Sequence, residues 1–270
     1  AWLLVASGMP ASSRGRRGPV DLAGAALLAG VLAPFAWAMA LGGQALPWAS
    51  PAMAALLGAS VACAVGLVRV ERGYHQPIFP PAVLASRPLL LVLAVTVCFN
   101  AVGSAGEFLP AFAQSVLGTS AAVSGLLALP GLVVAAVGSS LLGRRLAARR
   151  RYRGVVLSWA AALVAVTAVY ATFSPETALA WVFGAAGVMG LAQTATQVVP
   201  YTYPMLALKP EQVPSGIAVM TFAGSAANTV GAGLLTAAAN TSLANVFRVP
   251  IVFGLLALAA ALAFRDPKRP

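Results

Sequence analysis

Charged side chains are scarce in this 270-residue chain, at 9% of the residues, and only six of them are acidic. Histidine occurs once and cysteine twice, which leaves no ligand set for a metal centre. Cys63 and Cys98 both fall in apolar runs, where a thiol behaves as a small hydrophobe, so no disulfide is expected. His75, alone in a loop, reads as solvated. Paired carboxylates, HExxH and GxSxG are all missing, so the chain does not read as an enzyme and no catalytic residue or cofactor is expected.

Apolar residues take up the difference. They make 60% of the chain, where soluble domains have roughly 45–50%. A membrane helix needs roughly 20 such residues in a row. Eight segments supply them, at about 20–41, 51–69, 88–117, 120–142, 154–173, 176–206, 213–239 and 246–264. None alternates as the strands of a barrel do. The expected fold class is an all-α membrane protein with eight transmembrane helices.

The formal charge of +11 could point to nucleic acid, but the placement of the basic residues argues for a bilayer. All but one of the 17 lie in alternate connections, among them Arg144, Arg145, Arg149, Arg150, Arg151 and Arg153 after the fourth segment; Arg248 is the exception. The positive-inside rule places these connections, and both ends of the chain, in the cytoplasm. The dense run GRRLAARRRYRG is accounted for as a cytoplasmic basic loop anchored at an anionic leaflet. Trp37 and Trp48 suit the opposite interface. Asp21 reads as a helix-start residue, and Ser174, Pro175 and Glu176 fit N-cap, N1 and N2 of the sixth helix.

Along the chain, residues 1–18 read as the end of a truncated helix and a cytoplasmic loop, which makes this a piece of a longer protein. Residues 19–70 hold two linking helices with almost no polar groups in their interior. A charged, Pro-rich cytoplasmic linker at 71–87 leads to six spans at 88–264, followed by a tail at 265–270.

One acidic residue, Glu107, is flanked by long apolar runs on both sides. A carboxylate at bilayer depth is costly, so it marks a functional site by default. On a helical wheel Asn100, Ser104, Glu107 and Gln114 fall within about 80° of one another, a polar stripe that must face protein or water. The sixth segment repeats the pattern with Gln193, Gln197 and Tyr201. The seventh carries Thr221, Ser225, Thr229 and Thr236 on one face with Asn228 at its edge, which reads as helix packing. Pro110 and Pro130 each withdraw a backbone donor from the carbonyl four residues back. With Gly106 and Pro200 they mark expected helix breaks, of the kind that line cavities. Expected hydrogen-bond partners of Glu107 are Asn100, Gln193, Gln197, Tyr201 or water.

Leu109, Pro110, Gln114, Gly118, Ser120, Gly125, Leu129 and Pro130, in LPAFAQSVLGTSAAVSGLLALP, resemble the LPxYxQxVxGxSxxxxGxxxxP segment of the fourteen-span drug:proton antiporters of the major facilitator superfamily. GPVDLAGAALL, PIFPPAVLASRP and SGIAVMTFAGSAANTVGAGLLTA are similar to other stretches of that family. The departures are Phe112 in place of Tyr, Ala147 and Ala148 where an aspartate is expected, and no arginine near Ala223 and Gly224. The resemblance implies two linker helices followed by the C-terminal six-helix bundle of a major facilitator fold, with a six-helix N-terminal domain of the same protein missing. It also implies proton-coupled efflux of small amphipathic drugs or metabolites by alternating access, in the plasma membrane. Glu107 is then the proton-coupling candidate, because burial disfavours the charged form of a carboxyl. Asn100, Ser104, Gln114, Gln193, Gln197 and Tyr201 are substrate-path candidates. The implied partners are a small-molecule substrate, protons and the lipid bilayer, with no nucleic acid. Uptake or transport of polar metabolites, or a non-transporting membrane assembly role, are the alternatives.

Overall fold

The computed structural model describes residues 22–43, 45–73, 86–149, 151–239 and 243–265, and every regular element among them is helical. The truncated-helix reading of the first residues, Asp21, most of the 71–87 linker with His75, Arg150 and residues 266–270 lie outside the described residues. Among the described residues eight helical stretches are long and apolar enough to cross a membrane. Spans 1 to 8 run Leu22–Leu41, Pro51–Val70, Arg87–Ser115, Ala121–Ala148, Arg153–Ala171, Leu179–Ala207, Pro210–Thr236 and Val246–Ala263.

Spans 1 and 2 pack on each other. The Ser60 hydroxyl donates to the Val31 carbonyl at 2.7 Å, and Gly30 and Gly66 let Cys63 and Leu27 come close. The pair touches the rest through span 1, where Gly233 of span 7 makes room for Met39. One continuous apolar core then runs from Leu89 to Phe264, with no contribution from spans 1 and 2. Close approach inside it relies on glycine. A Cβ on Gly131 would stand 2.7 Å from the Ala186 carbonyl oxygen, and one on Gly231 would stand 2.7 Å from that of Ala101.

Besides span 8, which divides at Val249 directly before Pro250, three spans break, each two or three residues ahead of a proline. Span 3 divides at Phe108 into Arg87–Glu107 and Leu109–Ser115. Span 4 divides at Leu127 and Ala128 into Ala121–Leu126 and Leu129–Arg149. Span 6 divides at Gln197 and Val198 into Leu179–Thr196 and Val199–Ala207. In each case the proline is the second residue of the resumed helix, so its missing N–H falls at a helix start and costs nothing there. The interrupted ends tighten instead: Phe108 N–H donates to the Ala105 carbonyl at 3.1 Å, and Val198 N–H to that of Ala195 at 3.1 Å.

The pieces of spans 3 and 4 beyond the breaks form a tight hairpin, and its turn accounts for several residues of this stretch. Gly118 sits at φ 68°, in the left-handed region that ends a helix. The Thr119 N–H returns to the Ala113 carbonyl at 3.0 Å. Ser120 is the N-cap of the next helix, its hydroxyl accepting from the Val123 N–H at 3.3 Å.

Two local expectations are corrected. The basic run after span 4 is helical through Arg149, because Leu, Ala and Arg are strong helix formers. Only a short connection remains before the helix that starts at Arg153. Ser174, Pro175 and Glu176 do not start span 6. They form a turn closed by Thr177 N–H to the Ser174 carbonyl at 3.0 Å, with Pro175 in the second position that fixed φ favours. The helix begins at Leu179.

Candidate functional site

The breaks in spans 3 and 4 border a cavity of about 490 Å³. Glu107, the last residue of the inner piece of span 3, opens into it beside Gly106 and Pro110, and Leu127 and Ala128 of the span 4 break form the facing wall. Span 6 contributes Gln193 and span 7 contributes Asn228. Among the described residues no basic side chain lines the cavity.

Glu107 does not stand at the middle of its span. Helical rise puts it about 30 Å along from Arg87 and about 12 Å short of Ser115, hence in the half of the bundle away from Arg87. Its Oε1 accepts from Asn228 Nδ2 at 3.2 Å. None of the side chains expected from sequence, Asn100, Gln193, Gln197 and Tyr201, bonds to it among the described residues. Asn100 instead donates to the Thr96 carbonyl at 2.8 Å, one turn back, and leans on Gly224 of span 7, where a Cβ would stand 2.9 Å from its Nδ2. Span 7 therefore packs against span 3 through its glycines, as its composition suggested. It also delivers the one side chain that reaches the carboxylate.

The other candidates scatter. Ser104 is fully buried, donates to the Ala101 carbonyl at 2.7 Å, and faces Gly231 in the helix contact. Gln114, Gln197 and Tyr201 are exposed outside the cavity, Gln197 within the span 6 break. Of the break candidates, Gly106 and Pro110 line the cavity, Pro130 precedes Gly131 in its wall, and Pro200 is buried. Of the residues of the basic run, Arg144 and Arg145 project from the end of the span 4 helix, while Arg151 and Arg153 flank the start of span 5.

Tyr170 completes the cavity wall and was not singled out from sequence. It is fully buried, and its hydroxyl has no hydrogen-bond partner. A Cβ on Gly106 would sit 3.6 Å from it. An aromatic cluster backs the ring, with Phe247 at 5.6 Å and, beyond it, Phe112 of the outer hairpin at 5.2 Å from Phe247. Phe112 thus ties the hairpin beyond the breaks to spans 5 and 8.

This chain is 32% identical over 168 residues to a puromycin resistance protein of Streptomyces alboniger. It resembles a drug-resistance protein. The match covers 60% of this chain and 32% of the relative's length. No family model matches the chain. What the site offers chemically is one carboxylate, three amide side chains and an unmet phenol set in apolar walls. That set offers hydrogen-bonding groups within apolar walls, the make-up of a small-molecule pocket, and among the described residues no nucleophile with a base beside it.

Proposed function

We propose that this chain is the C-terminal part of a secondary transporter that exports small amphipathic molecules in exchange for protons. The observation that carries the reading is Glu107, a carboxylate with a single amide partner, opening on a cavity bounded by two helix breaks. A carboxylate in an apolar bundle with no basic partner is held cheaply only while an amide or water solvates it. Bending span 3 at Phe108 would part Glu107 from Asn228, which ties the state of the carboxyl to the conformational change. Proton uptake and the conformational change are then two faces of one event. Alternating access between this six-span bundle and an N-terminal bundle of the same polypeptide would present the carboxyl to either side in turn. The arginine-rich end faces the cytoplasm by the positive-inside rule, which fits a plasma-membrane exporter. Resistance to puromycin, which the name of the similar protein states, makes puromycin the first substrate to try.

The test is Glu107→Gln in the full-length protein. Glutamine keeps shape and hydrogen bonding and fixes the neutral form. Accumulation of puromycin in inverted vesicles, driven by an imposed proton gradient, should be lost while puromycin binding at fixed pH remains. Unchanged gradient-driven accumulation in the variant removes Glu107 from the coupling.

A further inference from the structure

The arginines are not spread evenly over the basic end of the bundle. Arg145, at the end of the span 4 helix, and Arg151 and Arg153, at the start of span 5, line a cleft of about 720 Å³. Arg265, just past span 8, and Arg87, the first residue of span 3, line a second of about 320 Å³. Among the described residues no acidic side chain lines either one.

The two clefts share one construction. In each, one helix ends with a leucine three residues before an arginine, Leu142 before Arg145 and Leu262 before Arg265. The other helix starts with an arginine and places a leucine four residues on, Arg153 with Leu157 and Arg87 with Leu91. Both starting helices lack a side-chain cap, the N-cap residues Tyr152 and Ser86 making no such bond. The N-terminal end of each starting helix, the positive end of its dipole, stands at the cleft. At Gly154 nothing lies within 4 Å of where a Cβ would be, so the larger cleft is open at that point.

We propose that each cleft seats the phosphate group of an anionic membrane phospholipid. Guanidinium groups match phosphate oxygens, and their summed positive charge selects a headgroup with net negative charge. The leucines decide for a lipid over a free anion. One turn deeper along each helix, on the side of the membrane span, they continue the polar cleft into an apolar wall where acyl chains attached to that phosphate would lie. Basic clefts between spans at the cytoplasmic face are the type of place where such headgroups collect. The site is separate from the Glu107 cavity and does not depend on the transport reading.

The experiment counts lipids on the detergent-purified full-length protein by native mass spectrometry, after incubation with phosphatidylglycerol or phosphatidylethanolamine. Wild type is expected to retain two phosphatidylglycerol molecules and to bind phosphatidylethanolamine markedly less. Arg145→Gln and Arg265→Gln should each lose one, with affinity at the altered cleft down about fivefold per arginine removed. Arg144→Gln, which removes the same charge from an exposed side chain outside both clefts, should retain two. Equal retention in Arg145→Gln and wild type overturns the proposal, as does equal loss in Arg144→Gln, which would make the effect one of general charge. Equal binding of phosphatidylethanolamine would show that headgroup charge is not read. Displacement of the lipid by millimolar inorganic phosphate would show a free-anion site and refute the lipid assignment.

Discussion

Gly231 and Gly184 are both helical glycines in membrane spans, and replacing each by alanine should shift stability in opposite directions. At Gly231 the added methyl would stand 2.7 Å from the Ala101 carbonyl oxygen, 2.7 Å from the Ser104 Oγ and 2.8 Å from the Ala101 Cα. Two of those three neighbours are backbone and cannot rotate aside. Ordinary contact needs about 3.5 Å, so spans 3 and 7 must separate by several tenths of an ångström, and such overpacking costs about 1–3 kcal/mol. The shift also reaches the site. Asn228 lies one turn from Gly231, and its 3.2 Å bond to Glu107 has little length to spare before it fails. At Gly184, by contrast, nothing lies within 4 Å of the added atom, and alanine gains about 0.4–1 kcal/mol through helix propensity and lower chain entropy. Thermal unfolding of the purified full-length variants in detergent should show Gly231→Ala melting below wild type and Gly184→Ala level with or above it. Equal shifts of the same sign would refute the span 3 to span 7 packing described above.

Tyr170→Phe removes a buried hydroxyl that has no partner, so it should leave melting unchanged or raise it by up to about 1 kcal/mol in stability; a loss of more than that would show that the hydroxyl is satisfied. Pro130→Ala restores the N–H that the Leu126 carbonyl lacks and should let span 4 run straighter across Leu127 and Ala128; hydrogen exchange at residues 127–131 should slow, and unchanged exchange would mean the break does not depend on the proline. With Cys63 and Cys98 replaced, cysteines placed at Ala45 and Ala148 should react with an impermeant thiol reagent from opposite sides of the membrane, and labelling from the same side would sink the assigned orientation.

Local chemistry made much of this architecture legible. Runs of apolar residues set the spans because unpaired backbone cannot enter hydrocarbon, and expected and observed limits differ by a few residues except where span 4 continues through Arg144 and Arg145. That exception came from reading charge as loop, although Arg and Ala sustain helices well. The breaks beside Pro110, Pro130 and Pro200 were legible for a similar reason: the missing N–H acts on a carbonyl four residues away in the same chain. At 174–177 the same local signals fitted either a cap or a turn, and hydrogen bonding chose the turn.

By itself, then, the sequence determined that the described residues form eight apolar spans, which connections are basic, that three of the spans break beside Pro110, Pro130 and Pro200, and that Glu107 needs a partner. Tertiary structure alone decided what that partner is. Asn228 lies 121 residues from Glu107 in sequence, and a helical wheel says which side of a span a residue occupies but not which span it meets or at what height. Glycine contacts set both, by letting span 7 approach span 3 closely enough for an amide of ordinary length to reach the carboxylate. The same closeness turned Ser104 into a packing residue and left Gln114, Gln197 and Tyr201 outside the cavity, because a polar stripe on a helix is continuous only until the helix breaks.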